Sequence, residues 1–149
     1  MDIIIKKAEE RDLEDILRLQ KLAFMGEARR HNDFSIAPLH QTIEEITKEA
    51  ESSLILKAVL DKRIVGSARA YEKEGTCYIG RVIVHPEYEN KGIGKRLMTE
   101  IEANFKDCRY ELFTGYLSEK NIAFYEKLGY KRFKIQQVSE AVQLIFFKK

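Results

Sequence analysis

The sequence predicts an α/β (α+β) fold, in which a mixed, largely antiparallel central sheet of about six to seven strands carries helices on both faces. Three apolar segments, Leu54 to Leu60, Ile64 to Tyr71 and Thr76 to Val84, follow one another through the middle of the chain. The short links "DKR" and "EKEG" between them suit tight antiparallel connections. Amphipathic segments of helical period lie before and after this block, and apolar runs of strand length open and close the chain. The resulting order is β-α-α-β-β-β-α-β-α-β-β, which is neither a bundle nor a repeated βαβ unit.

"IIIKKA", Ile3 to Ala8, is a β-branched run and reads as the opening strand. From Asp12, "DLEDILRLQKLAFMG" carries Leu13, Ile16, Leu17 and Phe24 near helical spacing, with Asp12 as the expected N-cap and Gly26 as the expected end. "EARRHNDFSIAPLHQ" then breaks the pattern and reads as a long irregular loop, a kind of segment that is often functional. Thr42 and Glu45 form a capping-box pair for a second helix through about Glu51, with Ile43 and Ile46 facing inward. Pro86 halts the third central strand, since proline cannot extend a ladder. Ile93, Leu97, Ile101 and Phe105, four apart, mark a helix from about Gly92. "RYELFTG" reads as a strand, and "SEKNIAFYEKLG" as a short helix closed by Gly129. "YKRFKIQQV" and "VQLIFF" are expected to pair as a final hairpin.

At 149 residues, 44% hydrophobic and 34% charged, the chain has the composition of one soluble globular domain spanning 1–149. Its formal charge of +2 gives no global reason to expect nucleic acid or an anionic membrane as partner. No apolar run approaches the roughly 20 residues of a membrane span, and the N-terminal stretch lacks a long apolar h-region. Cys77 and Cys108 have no CxxC or histidine partners and are expected to be reduced core thiols, with no metal site. Together these features lead us to expect a cytoplasmic protein.

The chemistry gathers at "HPEYENKGIGKRLM", His85 to Met98, where a strand turns directly into a helix. A helix begins with unpaired N–H groups and the positive end of its dipole, so its start attracts anions. Gly92 and Gly94 let a phosphate come close to the backbone, and Lys91, Lys95 and Arg96 add positive charge. Spacing alone allows either a diphosphate cradle or an ordinary glycine corner. A P-loop is excluded because the glycines are too close and Arg96 follows Lys95. A dinucleotide-binding fold is excluded because the third glycine and the βαβ repeat are missing.

"VIVHPEYENKGIGKRLM" resembles the acyl-CoA-binding signature of the GCN5-related N-acetyltransferase (GNAT) superfamily, [Q/R]-x-x-G-x-[G/A]. The match falls on Glu89, Asn90, Lys91, Gly92, Ile93 and Gly94. "SEKNIAFYEKLGYKRF" is similar to a second family element, N-x-x-A-x-x-x-Y-x-K-x-G-F, in shortened form. The resemblance implies a GNAT-type sheet in which two parallel neighbouring strands splay apart to admit acetyl-CoA. It implies that Val82, Ile83 and Val84 present backbone groups to the pantetheine arm and thioester, and that the amides from Asn90 to Lys95 hold the pyrophosphate. It also makes Asn121 and Phe124 contacts of the CoA arm, although Asn121 could equally cap its helix. Tyr125 would donate a proton to the departing thiolate, its phenol having an ordinary pKa of about 10.

The implied activity is acetyl-CoA-dependent transfer to a primary amine of a small molecule, protein or peptide; the alternative is a non-catalytic acyl-CoA-binding or sensor module. Two departures from the family pattern favour the alternative. Glu89 replaces Gln or Arg and is expected to point into solvent, and Tyr78 replaces the strand glutamate that serves some members as base. Glu111 and His31 are substitute bases, although a solvated Glu111 and a surface His31 are the ordinary expectations, and an ordered water chain is the preferred route. The segment around Arg29, Arg30, His31, Asn32, Asp33 and Phe34 falls in the acceptor-specificity region, where the two arginines would suit an acidic acceptor. By analogy with the family, the final hairpin could support a homodimer.

Overall fold

A computed structural model describes residues 2–149. Its strands are β1 (Ile4–Lys7), β2 (Leu54–Leu60), β3 (Arg63–Lys73), β4 (Thr76–Val84), β5 (Arg109–Gly115), β6 (Lys131–Gln137) and β7 (Gln143–Lys148). Its helices are α1 (Leu13–His31), the single turn α2 (Ala37–His40), α3 (Ile43–Ser52), α4 (Ile93–Asn104) and α5 (Glu119–Lys127). The strands form one sheet in the order β1-β2-β3-β4-β5-β7-β6. Every neighbouring pair is antiparallel except β4 and β5. This is the mixed, largely antiparallel sheet that the pattern predicts.

Turn chemistry explains the central meander. Asp61 and Lys62 both take positive φ, as do Glu74 and Gly75, and paired left-handed residues give two-residue hairpins the twist their strands need. The larger core lies between the sheet and α4 and α5, where Leu97, Met98, Ile101 and Phe147 are fully buried. A smaller cluster of Leu13, Ile16, Leu17, Ile46 and Ile55 joins α1 and α3 to the opposite face. Cys77 is buried in the larger core, and burial pushes its thiol up to about 12. Cys108 departs from expectation: it is half-buried, and its Sγ lies 3.3 Å from a Glu72 carboxylate oxygen.

Helix α1 differs most from the sequence reading. It does not stop at Gly26 but runs to His31, and Asn32 (φ 51°, ψ 44°) supplies the left-handed C-cap. A mid-helix glycine costs about 1 kcal/mol, and here burial of Ala28 and His31, at 0% and 5% exposure, outweighs it. The expected long loop is therefore helix as far as His31, followed by a bend and the turn α2 with Pro38 near its start. Asp12 does not cap α1 through its side chain; a 3-10 turn precedes the helix, and the Asp12 carboxylate accepts the Glu9 N–H and the Lys57 ammonium, each at 2.7 Å. The Thr42–Glu45 capping box forms as expected. Gly129 closes α5 at φ 94°.

Inside the α1 face a buried polar network replaces simple apolar packing. Gln20 on α1 donates to the Pro38 carbonyl at 2.9 Å and to Gln41 at 3.0 Å. Arg69 on β3, 3% exposed, donates to Gln20, Gln41 and the Glu49 carboxylate. The network fixes α1, the segment after it and α3 against β3. At its C-terminal end α1 is fixed again, because the His31 ring occupies the space where a Cβ on Gly115 of β5 would fall. Gly115→Ala should therefore destabilise the fold by about 1–3 kcal/mol, read as a lowered urea midpoint at unchanged slope; an unshifted midpoint would show that the ring gives way freely.

Candidate active site

Strand β4 pairs with β5 through only three rungs, Thr76↔Arg109, Cys77↔Tyr110 and Tyr78↔Glu111. Beyond the last rung the two parallel strands have no ladder, so β4 from Ile79 to Val84 and β5 from Leu112 to Gly115 diverge into an open wedge. Exposed strand edges carry unpaired N–H and C=O groups that can bond a peptide-like ligand. Val82 and Val84 are half-buried on this edge, and Ile83 between them is buried. A bulge breaks β4 just before them. The β3–β4 register moves from Arg69↔Gly80 to Ser67↔Ile83, so β4 carries one residue more than β3 across this step, and Arg81 takes φ 50°.

After Val84 the chain makes a 3-10 turn at Pro86–Tyr88 and then reaches the glycine turn. Asn90 (φ 60°) and Gly92 (φ 80°) are both left-handed, and Gly92 is the N-cap of α4. The first bond inside α4 joins the Arg96 N–H to the Gly92 carbonyl at 3.1 Å, leaving the amides of Ile93, Gly94 and Lys95 in the unpaired first turn. Ile93 is buried and anchors the helix, whereas Asn90, Lys91 and Lys95 are exposed. A Cβ on Gly92 would meet no atom within 4 Å, so the approach to this turn is open. The residues present thus fit a diphosphate. Glu89 is exposed, as expected, and Lys120 on α5 holds its carboxylate at 3.2 Å.

Helix α5 places the second motif against the first. The Phe124 ring covers Gly94, its Cζ 3.1 Å from where a Cβ would stand. Tyr125 is 7% exposed, with its ring 5.1 Å from Phe124 and 6.1 Å from Tyr130. Burial, and then the Glu27 carboxylate, push its phenol well above the ordinary tyrosine value. Asn121 is exposed inside α5, 3.4 Å from the Thr114 hydroxyl, and does not cap the helix; Ser118 stands at the N-cap position.

Neither substitute base is free for that role. Glu111 is half-buried; it sits on the last rung, at the closed end of the wedge, paired with Arg109 at 2.6 Å. His31 is not at the surface; its Nε2 accepts the Leu117 N–H at 3.3 Å, which leaves Nδ1 protonated and facing the Glu27 carbonyl at 3.1 Å. Tyr78, where the strand glutamate would stand, stacks on Tyr71 at 5.3 Å. Sequence reasoning missed Glu27, one helical turn before His31, because it lies beyond the expected end of α1. Its carboxylate accepts the Ser118 hydroxyl at 2.7 and 2.5 Å and pairs with Arg30. Of the acceptor-region residues, Phe34 and Arg29 are exposed, and Asp33 accepts from Ser35. Among the described residues no group of three or more His, Cys, Asp or Glu could hold a metal ion, and no helix is long and apolar enough to cross a membrane.

Comparison with known proteins agrees with this geometry. An uncharacterized N-acetyltransferase (ycf52) of Porphyra purpurea is 33% identical over 79 residues, covering 52% of this chain and 45% of that protein, so the chain spans about half its length. A glucosamine 6-phosphate N-acetyltransferase of Schizosaccharomyces pombe is 30% identical over 91 residues, 56% of this chain and 81% of that one. The fold superposes on a PaiA N-acetyltransferase of Thermoplasma acidophilum, solved in complex with coenzyme A, with a TM-score of 0.77, 21% identity and full coverage of both chains. Residues 12–130, which contain the wedge, the glycine turn and Tyr125, match the Acetyltransferase (GNAT) family, and the chain belongs to that family.

Proposed function

We propose that this chain, as a single domain, transfers the acetyl group of acetyl-CoA to a primary amine by direct attack on the thioester. The observation that carries the reading is the open β4 edge running into the glycine-turned start of α4, with Phe124 of α5 over Gly94 and the buried Tyr125 next to it. Bound acetyl-CoA would supply an activated acyl carbonyl. The backbone of Val82, Ile83 and Val84 would pair with the pantetheine amides, and the amides of Asn90 to Lys95 would hold the pyrophosphate. Glu89 contributes main chain to this turn, and its side chain is already engaged by Lys120. Phe124 and Asn121 would flank the arm from α5.

Tyr125 would keep its proton at the phenol oxygen and donate a hydrogen bond to the leaving sulfur, a role suited to a group kept protonated by burial, and the thiolate would take its proton from water. The acceptor arrives as an ammonium ion and must lose a proton. With Glu111, His31 and Glu27 all engaged by neighbouring groups, water would carry that proton. The non-catalytic alternative keeps the cradle and loses the turnover. A cytoplasmic location is part of the same reading.

Acetyl-CoA alone should raise the melting temperature of the wild-type chain, and a panel of primary amines should then release CoA thiol. Gly94→Asp should abolish the shift, since its side chain would collide with Phe124 and repel the diphosphate; an undiminished shift in the folded variant would remove the cradle. Gly92→Ala should cost about 1–2 kcal/mol in denaturant stability, and Gly92→Asn less. Tyr125→Phe should lower kcat by about 10²-fold while keeping the acetyl-CoA shift. Because the phenol pKa is raised, wild-type kcat should show no loss from tyrosine ionisation between about pH 8 and 10. Turnover indifferent to Tyr125→Phe would leave the hydrogen-bond donor elsewhere.

A further inference from the structure

Arg81 is the residue added to β4 by the bulge, held at φ 50°. A long side chain in the left-handed region costs about 1–2 kcal/mol, and such positions collect where function fixes the backbone. Its guanidinium carbon lies 5.9 Å from the centre of the Phe24 ring on α1, on the sheet face opposite α4. Its Nε is buried without a hydrogen-bond partner, and no carboxylate pairs with it among the described residues. The acidic group nearby, Glu49, is committed to Arg69, with its two oxygens 2.8 and 3.1 Å from Nη1. Two guanidinium groups thus lie near one carboxylate, which pairs with Arg69 and not with Arg81.

Arg81 is half-buried with its Nε inside, and a charge partly withdrawn from water without a partner carries a desolvation cost. Arginine cannot relieve the cost by losing its proton, so the site favours an incoming anion. The planar fork suits carboxylate and phosphate oxygens. The position matters as much as the charge. Arg81 lies between the last β4–β5 rung at Tyr78 and the Val82–Val84 edge, while the glycine turn that fits a diphosphate is beyond Val84, at the start of α4 on the other face. An anion at Arg81 therefore belongs to the acceptor's side of the wedge.

We propose that Arg81 is a specificity residue: its guanidinium binds an oxyanion, carboxylate or phosphate, carried by the acceptor amine, so that the site selects anionic amines over neutral or polycationic ones. The proposal rests on the acetyltransferase reading and adds the acceptor's chemical class. The oxyanion at Arg81 and the amine in the wedge would be a few bonds apart, as in an amino acid, the N-terminus of an acidic peptide or an amino sugar phosphate.

The test measures binding, with and without saturating CoA, for ligand pairs that differ only in the anion. The pairs are amino acids against their carboxamides and glucosamine 6-phosphate against glucosamine, with spermidine as the polycation. In wild type the anionic member of at least one pair should bind about tenfold tighter or better, and the two pairs separate carboxylate from phosphate. In Arg81→Gln that preference should fall below about twofold, and in Arg81→Lys part of it should return, because the charge remains without the fork. Equal binding within both pairs in wild type would overturn the proposal, as would a preference that survives Arg81→Gln. Acetyl-CoA alone, tested on the same preparations, reports on the cofactor reading separately, and the wild-type pairs decide the matter even if a variant fails to fold.

Discussion

The parallel contact between β4 and β5 lasts three rungs and then ends. Parallel strands normally pair along their length and bury the result on both faces. Here the ladder stops at Tyr78, just before the bulge at Arg81. The missing rungs leave backbone polar groups that water or a peptide-like ligand must satisfy. The strong β5–β7 pairing, five residues from Glu111↔Lys148 to Gly115↔Leu144, keeps β5 from folding back to close the gap. The glycine turn, Tyr125 and the extended α1 are all arranged around this opening.

Two partly buried polar systems fix α1 against the rest of the molecule. On one side the Gln20–Arg69–Glu49–Gln41 network ties α1 and α3 to β3. On the other, His31 and Glu27 join the end of α1 to the loop after β5 through the Leu117 amide and the Ser118 hydroxyl. Buried networks specify one arrangement among several of similar packing energy; in the first of these the Arg69 Nε is left without a partner. The smaller apolar cluster takes only Leu13, Ile16 and Leu17 from α1, so besides the buried Ala28 these polar contacts are what hold its last two turns.

Much of this was legible from local chemistry. The Thr42–Glu45 box, Pro86 at a strand end, Gly92 before a four-residue apolar period and Gly129 after one each carry a backbone requirement visible in the residue itself. The features that escaped notice depend on distant contacts. Gly26 reads as a stop because propensity is local, yet His31 finds its pocket against Gly115, 84 positions further along the sequence. Arg81 carries no mark of a left-handed residue, since that conformation is usually signalled by glycine or asparagine; the bulge is imposed by the pairing of β3 on both sides of it. Glu27 was hidden for the same reason as His31. The roles of Val82 to Val84 and of the α5 residues came from resemblance, because a strand edge that lacks a neighbour looks like any other strand in sequence.

The Phe124 ring resting on Gly94 joins two segments 30 residues apart in the chain into one mechanical piece. The Glu89–Lys120 ion pair spans the same junction at its exposed rim. Lengthening the connection between β5 and α5 would therefore disturb the anion end of the cleft as well as the tyrosine. The hairpin tip between β6 and β7 carries a different linkage: the Ser139 hydroxyl donates to the Asp33 carboxylate at 3.2 Å, so an insertion there would reach the segment after α1 and not the anion end of the cleft.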